Sequence, residues 1–350
     1  MQKRKMLTAI ALISLSNVSM AGVEFTILGE DVFDRETAWN TAHVANDGTV
    51  LIKEQVDYNI EYYKWNKDSG YTLIPTSPWA KSGSKFSNDG AYSLFVGFSY
   101  IYNTPEGTFQ VGSTAHMSGN GRVLAGSSNG SIKILVDGVE SKGMKIPLPS
   151  DGGYSSPYLI GQKSINETGD RMLVSEAPQF SVGGLKTIYF IEAVEGSIEG
   201  ALTEIPYQFL GAPSLSDDGH SVLGMMEGLS PGCLSERSDV IYNDVTGLIT
   251  EIGCHYEFGA KIFSGDGSTV VGVVGGYSAD KTSYIWDAVK GKRNLQDVLL
   301  QHGIDVQGWT NFFATDISED GLKISGWGTN EVGDDRGFLI NVVPECVAGL

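Results

Sequence analysis

Apolar and polar residues alternate along much of this chain in short runs that are separated by Asp-Gly or Asn-Gly pairs. The clearest example is segment 314–327, in which one run leads to Asp320-Gly321 and a second run ends near Gly326. Alternation with a period of two is typical of strands with one buried face. An Asp-Gly pair between two such runs favours a two-residue hairpin turn with positive φ at its centre. The segment therefore predicts a β-hairpin.

The same pattern recurs along the chain as an apolar residue, Ser or Asn, any residue, Asp or Asn, and Gly. The glycines that end the seven copies, called the turn glycines below, are Gly48, Gly90, Gly121, Gly169, Gly219, Gly267 and Gly321. Their separations are 42, 31, 48, 50, 48 and 54 residues. A propeller blade has four strands and about 40 to 50 residues. The spacing therefore predicts a β-propeller with one blade per copy.

Two columns of the aligned copies support this register. The residue four positions before each turn glycine is always apolar, which predicts burial between neighbouring blades: Val44, Phe86, Met117, Ile165, Leu215, Phe263 and Ile317. The residue immediately before the glycine is a turn former in all copies except the fourth: Asp47, Asp89, Asn120, Thr168, Asp218, Asp266 and Asp320.

A second pattern follows several hairpins, an aromatic residue with a glycine five positions later. Tyr102 with Gly107 and Trp286 with Gly291 are examples, and they predict a third strand, a turn and a fourth strand. One helix is predicted over residues 295–302, with Asn294 as its N-cap and Gly303 at its end.

The last copy has one strand fewer than the others, whereas the sequence VEFTIL at Val23–Leu28 predicts a strand that precedes the first copy. Adding this strand to the last blade would leave no open sheet edge between the chain ends. The predicted fold is therefore all-β, a seven-bladed β-propeller whose ring is closed by the N-terminal strand joining the last blade. Six or eight blades are the alternatives if the short third copy is incomplete.

The first 21 residues have the features of a secretory signal peptide. Three basic residues precede an apolar run over 6–15, and small residues, Ser19 and Ala21, precede the expected cleavage site. The apolar run is shorter than the roughly 20 residues of a membrane-spanning helix. We predict a signal peptide over 1–21, a single propeller domain over 22–350, and export to the periplasm or the extracellular space.

The charge of the chain excludes some partners. The formal net charge is −18, and removal of the leader, with three basic residues and no acidic one, makes it −21. Such a surface repels phosphate backbones and anionic lipids. We therefore expect no nucleic acid partner and no membrane insertion, and we expect a monomer.

The chain has three cysteines, an odd number for an oxidising compartment. Cys233 and Cys254 flank a predicted hairpin, and we expect them to form a disulfide. Cys346 is then free or paired between molecules. The cysteines and histidines lack the spacing of a zinc site.

Segment 295–340 reads LQDVLLQHGIDVQGWTNFFATDISEDGLKISGWGTNEVGDDRGFLI. It resembles the C-terminal repeats of bacterial extracellular proteins with the HAF repeat, in which a Ser-x-Asp-Gly hairpin alternates with a short aromatic strand. Asp335-Arg336-Gly337-Phe338 is similar to the His/Arg-Ala-Phe stretch that names the repeat, and Ser283-Tyr284-Ile285-Trp286 replaces it in the preceding copy. The resemblance implies an exported repeat protein and adds no chemistry, because this family lacks an agreed activity.

The chain has no phosphate-binding glycine motif and no His-Glu-x-x-His. One column of the aligned copies nevertheless contains several ionisable residues. It is the residue five positions before each turn glycine, called the channel column below: His43, Lys85, His116, Ser164, Ser214, Ile262 and Asp316. Its neighbour is apolar and strand side chains alternate, so this column should line the central channel. We predict a ligand site formed by His43, Lys85, His116 and Asp316, for an anionic sugar or for acid-base chemistry. The alternative is a water-filled channel with polar walls.

Other candidate sites are weaker. The acidic segments 217–219 and 331–335 lack the regular spacing of a calcium loop, and we interpret them as solvated turns. Tyr62, Tyr63, Tyr154 and Tyr158 could stack on sugar rings, but tyrosine is also common in strands. We therefore predict no metal and no cofactor.

The function predicted from these observations is that of an exported, non-enzymatic binding or scaffold protein, with a glycan or the surface of an envelope or extracellular protein as its ligand. The alternatives are a polysaccharide hydrolase or lyase with its site at the channel mouth, and a structural envelope module. An enzyme should show perturbed titratable groups at one end of the channel, whereas a binding module should show an exposed aromatic patch.

Overall fold

The structure, a computed structural model, describes residues 22–28, 39–56, 59–74, 84–95, 100–111, 116–128, 131–137, 139–140, 144–145, 157–159, 163–176, 185–192, 201–229, 236–254, 261–274 and 282–342. The predicted signal peptide lies outside these residues, as do Cys233, Cys346 and Tyr154. The predicted disulfide between Cys233 and Cys254 therefore stays a prediction.

The strand β1 (Val23–Leu28) precedes the first repeat. Repeats one and two each form a four-stranded antiparallel sheet. The sheet of repeat one contains β2 (Trp39–Val44), β3 (Val50–Val56), β4 (Asn59–Asn66) and β5 (Gly70–Ile74). The sheet of repeat two contains β6 (Ser84–Phe86), β7 (Ser93–Phe95), β8 (Tyr100–Thr104) and β9 (Gly107–Val111). Repeat three contains β10 (His116–Met117), β11 (Val123–Ser128), β12 (Ser131–Val136), β13 (Val139–Glu140) and β14 (Met144–Lys145). Both short strands β13 and β14 pair with β12, so this copy also has a fourth position in its sheet.

Repeats four and five share one seven-stranded sheet. Its strands are β15 (Pro157–Leu159), β16 (Arg171–Glu176), β17 (Leu185–Glu192), β18 (Ala201–Leu215), β19 (Ser221–Glu227), β20 (Arg237–Asn243) and β21 (Leu248–Cys254). The long strand β18 pairs with β17 through its first part and with β19 through its last residues. It therefore serves as the last strand of repeat four and the first strand of repeat five.

Repeat six is the four-stranded sheet of β22 (Lys261–Phe263), β23 (Thr269–Val274), β24 (Thr282–Asp287) and β25 (Gly291–Asn294). The helix α1 (Leu295–Gln301) follows, and the Asn294 side chain accepts hydrogen bonds from two backbone N–H groups of its first turn. The predicted helix is thus confirmed, ending one residue earlier than expected. Repeat seven contains β26 (Thr310–Ile317), β27 (Lys323–Thr329) and β28 (Asp335–Val342).

The fourth strand of the last sheet is β1, which pairs antiparallel with β28 from Val23↔Val342 to Leu28↔Gly337. The ring of Phe25 stacks on Phe338, with 5.6 Å between ring centroids. The strand pairing predicted from the sequence is therefore present. Closure of a seven-bladed ring by this pairing remains a prediction.

The turns after the first strand of each repeat differ from the prediction in one respect. All turn glycines have positive φ, from 69° to 87°, but positive φ at other residue types occurs, within the described residues, only at Asp137, Glu236 and Asn311. The expected two-residue turn is therefore wrong. In repeat seven, Gly321 N donates to Ser318 O at 2.9 Å, which closes a four-residue turn ending in a left-handed glycine. Asp320 contributes through its carboxylate, which accepts hydrogen bonds from Leu322 N at 3.0 Å and Ser318 Oγ at 2.5 Å.

The core lies between neighbouring sheets. All seven apolar residues of the column four positions before the turn glycines are buried, each at most 4 % exposed. Their predicted burial is confirmed. The one helix within the described residues is too short and too polar to span a lipid bilayer.

Candidate functional site

The residues two positions before the turn glycines form what we call the turn ring: Asn46, Asn88, Gly119, Glu167, Asp217, Gly265 and Glu319. Backbone hydrogen bonds join neighbouring turns, from Asn46 N to Asn88 O (2.8 Å), Asn88 N to Gly119 O (2.7 Å), Asn120 N to Glu167 O (3.0 Å), Glu167 N to Asp217 O (2.8 Å), Asp217 N to Gly265 O (2.8 Å) and Gly265 N to Glu319 O (2.8 Å). The Asn46 side chain joins the last turn to the first: its Oδ1 accepts from Asp320 N at 3.1 Å, and its Nδ2 donates to Glu319 Oε2 at 2.9 Å. The first strand of each repeat therefore approaches a common axis.

Three acids of the turn ring, Glu167, Asp217 and Glu319, form what we call the axial cluster. One carboxylate oxygen from each lies within 4.8 Å of the other two. Asp217 is buried and the two glutamates are half-buried. Lys163 Nζ forms an ion pair with Asp217 Oδ2, and Asn88 Nδ2 donates a hydrogen bond to Glu167 Oε2. The cluster therefore contains three acids and one directly paired cation.

The electrostatics of the axial cluster are unfavourable for three ionised carboxylates. Burial, followed by the charges of Glu319 and Asp217, raises the pKa of Glu167 to about 7, although Lys163 and the Asn88 hydrogen bond act in the opposite direction. A carboxyl group with a pKa near neutrality can exchange a proton or accept a cation under physiological conditions.

Further along the first strands, two members of the channel column are in contact. His43 Nδ1 lies 2.7 Å from Asp316 Oδ2, and the same oxygen accepts a hydrogen bond from Val44 N at 2.8 Å. Asp316 is buried, and His43 Nε2 is buried without a hydrogen-bond partner among the described residues. A carboxylate that orients an imidazole in this way leaves the second nitrogen available to a ligand or a proton.

The other two predicted members, Lys85 and His116, both have a lowered pKa. Burial and then Lys163 lower the pKa of Lys85 to about 8. Burial and then Lys85 lower the pKa of His116 to about 3. Lys85, His116 and Lys163 belong to repeats two, three and four, so basic side chains from three neighbouring repeats lie near enough to influence one another's pKa values.

Of the predicted site residues, the structure brings His43 and Asp316 into contact, and it places Lys85 near enough to His116 to lower the pKa of that imidazole. Their role as a ligand site remains a prediction. The prediction of solvated turns is wrong for Asp217, which is only 2 % exposed because its carboxylate faces the axis and Lys163. The same prediction agrees with the structure at Asp218 and Glu331, which are exposed.

The axial cluster is not among the predicted sites, because its members occupy the variable position of the repeat motif. Two asparagines, two glycines and three acids occupy it, which is the composition of a polar site and not of a packed core. Among the candidate aromatic residues, Tyr62 is 1 % exposed and its ring lies 4.9 Å from that of Phe95, so it belongs to the core. Tyr63 is half-buried, and its hydroxyl donates to Glu61.

The depressed pKa of His116 predicts an effect of pH on stability. The unfolded chain binds a proton at this residue below a pKa of about 6.5, whereas the folded chain does so only near 3. Between these values the unfolded state holds more protons, so stability falls as pH falls. We expect His116→Gln to flatten this loss by up to about 1.4 kcal/mol per pH unit. Urea unfolding between pH 6.5 and pH 4 measures the slope, and equal slopes for both proteins would contradict the assignment.

No protein-family model matches this chain, and no curated protein sequence matches it significantly. Its structure is similar to that of an oligogalacturonate lyase from Vibrio parahaemolyticus, with 12% sequence identity over 92% of this chain and 98% of that one and a TM-score of 0.57. The structure of an oligogalacturonate lyase in complex with manganese is similar as well, with 11% sequence identity over 92% of this chain and 97% of that one and a TM-score of 0.57. The β-propeller domain of the Trilobed protease from Pyrococcus furiosus is also similar, with 12% sequence identity over 87% of this chain and 95% of that one and a TM-score of 0.57. At these identities the likeness establishes the fold alone, and the chain is a β-propeller.

Proposed function

We propose that this chain is an exported, seven-bladed β-propeller that binds an anionic ligand, of the glycan class, in its axial channel without turning it over. The observation that carries the proposal is the presence of Lys85 and Lys163 in the same region of the channel, close enough for one to lower the pKa of the other. Lys163 is paired with Asp217, so Lys85 is the cation that this proposal assigns to the negative charge of the ligand.

The channel column supplies the remaining contacts of the proposed site. His43 is oriented by Asp316, and His116 is held in its neutral form, so each imidazole can donate or accept one hydrogen bond to sugar hydroxyls. Export and membership of the HAF-repeat family are parts of the same proposal, and they are supported by the leader and by segment 295–340. The same side chains could instead bind an acidic side chain on the surface of an envelope or extracellular protein.

A second candidate function is that of a polysaccharide hydrolase or lyase. It is favoured by the perturbed titratable groups that an enzyme should show in the channel, namely Glu167 with a pKa of about 7 and Lys85 with a pKa of about 8. The His43–Asp316 pair, with Nε2 unpartnered among the described residues, has the form of an oriented general base. One of the similar structures is an oligogalacturonate lyase.

A single screen separates the two candidates. The purified protein is offered oligosaccharides of uronic acids and neutral oligosaccharides of the same lengths, and both bound ligand and released products are measured. We expect binding of the acidic set, weakened by salt, and no products. Release of reducing ends or of unsaturated uronic acids would support the enzyme instead. Absence of binding to the acidic set would contradict the proposal.

A further inference from the structure

The axial cluster presents a charge problem that the surrounding residues do not solve. Glu167, Asp217 and Glu319 come from repeats four, five and seven, and their oxygens lie within 4.8 Å of one another. The partners that face them are Lys163, paired with Asp217, and the amides of Asn88 and Asn46, which donate to Glu167 and Glu319. With all carboxyl groups ionised, one lysine leaves two negative charges without compensation in a half-buried place. Such charges are costly unless they are paired or coordinate a metal.

A second observation points to the place where a ligand would lie. Asp217 is 2 % exposed, and its Oδ1 is buried without a hydrogen-bond partner among the described residues, although Oδ2 is bound by Lys163. A buried carboxylate oxygen without a donor costs free energy comparable to a lost hydrogen bond, and native proteins rarely leave one unpaired.

The unpartnered oxygen of Asp217 lies beside Gly119, which has no side chain. A Cβ atom built on Gly119 would lie 2.7 Å from Asp217 Oδ1 and would clash with Glu167 Oε2. A Cβ atom on Gly265 would clash with the side chain of Glu319 and lie 3.2 Å from Asp217 Oδ2. The two glycines of the turn ring therefore leave space in which carboxylate oxygens converge. Any side chain at Gly119 would fill that space.

We propose that the axial cluster is a binding site for one divalent cation of the class that prefers oxygen ligands, such as Ca²⁺ or Mn²⁺, with Glu167, Asp217 and Glu319 as its protein ligands. Carboxylates without histidine or cysteine form a donor set for hard cations. The cation neutralises the two uncompensated charges and provides a partner for Asp217 Oδ1. Asn46 and Asn88 orient the glutamates through their amide hydrogen bonds, as outer-shell partners do in metal sites. The site does not depend on the channel ligand proposed above.

The proposal also has a structural consequence. The three ligands belong to turns that are joined to their neighbours by the hydrogen bonds of the turn ring. A cation that binds the folded state and not the unfolded one stabilises the fold, by about 2.7 kcal/mol when its concentration is 100 times its Kd. Bound cation would therefore connect repeats four, five and seven at the axis.

The test is a titration of the purified protein after treatment with a chelator and its removal. Mn²⁺ alone is added, and free aqueous Mn²⁺ is measured by electron paramagnetic resonance; Ca²⁺ alone is titrated in parallel by the shift in Tm. Extracellular calcium modules have Kd values of about 10⁻⁴ to 10⁻³ M, so the titration extends to about 10 mM. We expect one saturable equivalent of cation and a rise in Tm that the chelator reverses.

Two variants assign the site, and a third is the matched control. Glu319→Gln and Glu167→Gln each remove one charge while keeping the side-chain shape. We expect each to raise the Kd by at least about tenfold, the lower limit for loss of an outer-shell partner. Glu204→Gln makes the same change at an exposed position of β18 and should leave the Kd unchanged. Circular dichroism in chelator shows which variants are folded, and either folded glutamate variant suffices.

Two results would overturn the proposal. One is the absence of saturable binding of both cations to the wild-type protein up to the end of the titration. The other is binding that a folded Glu319→Gln or Glu167→Gln variant retains with the affinity of the Glu204→Gln control. In either case the axial cluster would not be a cation site.

Discussion

A chain that lacks residues 23–28 is expected to lose its cooperative unfolding transition or to melt at least about 7 °C below the wild type, which is the shift that a loss on the order of 5 kcal/mol produces in a chain of this size. The deleted strand β1 supplies six residue pairs to β28 and buries Val23 and Leu28, which are 2 % and 1 % exposed. Burial of each such side chain stabilises by about 1.5 to 3 kcal/mol. Phe25 adds ring contacts with Phe338 at 5.6 Å and Trp309 at 5.7 Å.

The deletion should also promote self-association, because β28 becomes an unpaired edge strand. Differential scanning calorimetry and light scattering of a chain that begins at residue 22 measure both effects. Phe25→Ala serves as a milder variant, and Glu24→Gln on the same strand serves as the control with little expected effect. A deletion protein that remains monomeric and melts cooperatively within about 2 °C of the wild type would show that β1 is dispensable, since such a shift is small against the stability of a domain.

The second large effect is expected from Asp316→Ala, with a loss of about 3 kcal/mol in the free energy of unfolding. The Asp316 carboxylate lies within hydrogen-bonding distance of the His43 ring and accepts from Val44 N, and both partners belong to repeat one whereas Asp316 belongs to repeat seven. Alanine would leave two groups without a partner in a buried place. The substitution therefore weakens the contact between the first and last repeats.

Asp316→Asn separates charge from hydrogen bonding. Asparagine retains an oxygen that can accept from Val44 N, so we expect it to recover at least half of the stability lost in Asp316→Ala. Urea unfolding at pH 7 provides the measurement. A loss below about 0.5 kcal/mol for the alanine variant, the range of ordinary surface substitutions, would mean that this contact is unimportant.

Much of the fold could be predicted from the sequence because the repeat motif carries local information. The turn glycines need a left-handed conformation, and the apolar column recurs at one position in every copy, so both could be recognised without knowing the structure. The turn type could not be predicted in the same way. Asp320 favours two kinds of hairpin turn, and the choice depends on the hydrogen bond that its carboxylate makes with the Ser318 hydroxyl.

The site was harder to predict because its members come together only when separate repeats pack side by side. The contact between His43 and Asp316 joins residues 273 positions apart, and it was accessible because both occupy the same column. Glu167, Asp217 and Glu319 also share a column, but Asn, Gly and acidic residues alternate in it without a visible rule. Gly119 matters because it has no side chain where the carboxylate oxygens of Glu167 and Asp217 lie, and the sequence does not identify such neighbours in space.

Calorimetry on a double variant tests whether the channel column of this propeller binds an anionic ligand, as proposed. His43→Gln and His116→Gln together remove one member of each pair in the channel and leave both lysines in place. The wild type and the double variant are titrated with an oligosaccharide of uronic acids, at a temperature where both are folded. We predict that the Kd of the double variant is at least about tenfold higher, equivalent to about 1.4 kcal/mol. An unchanged Kd would contradict the claim that the ligand lies in the channel.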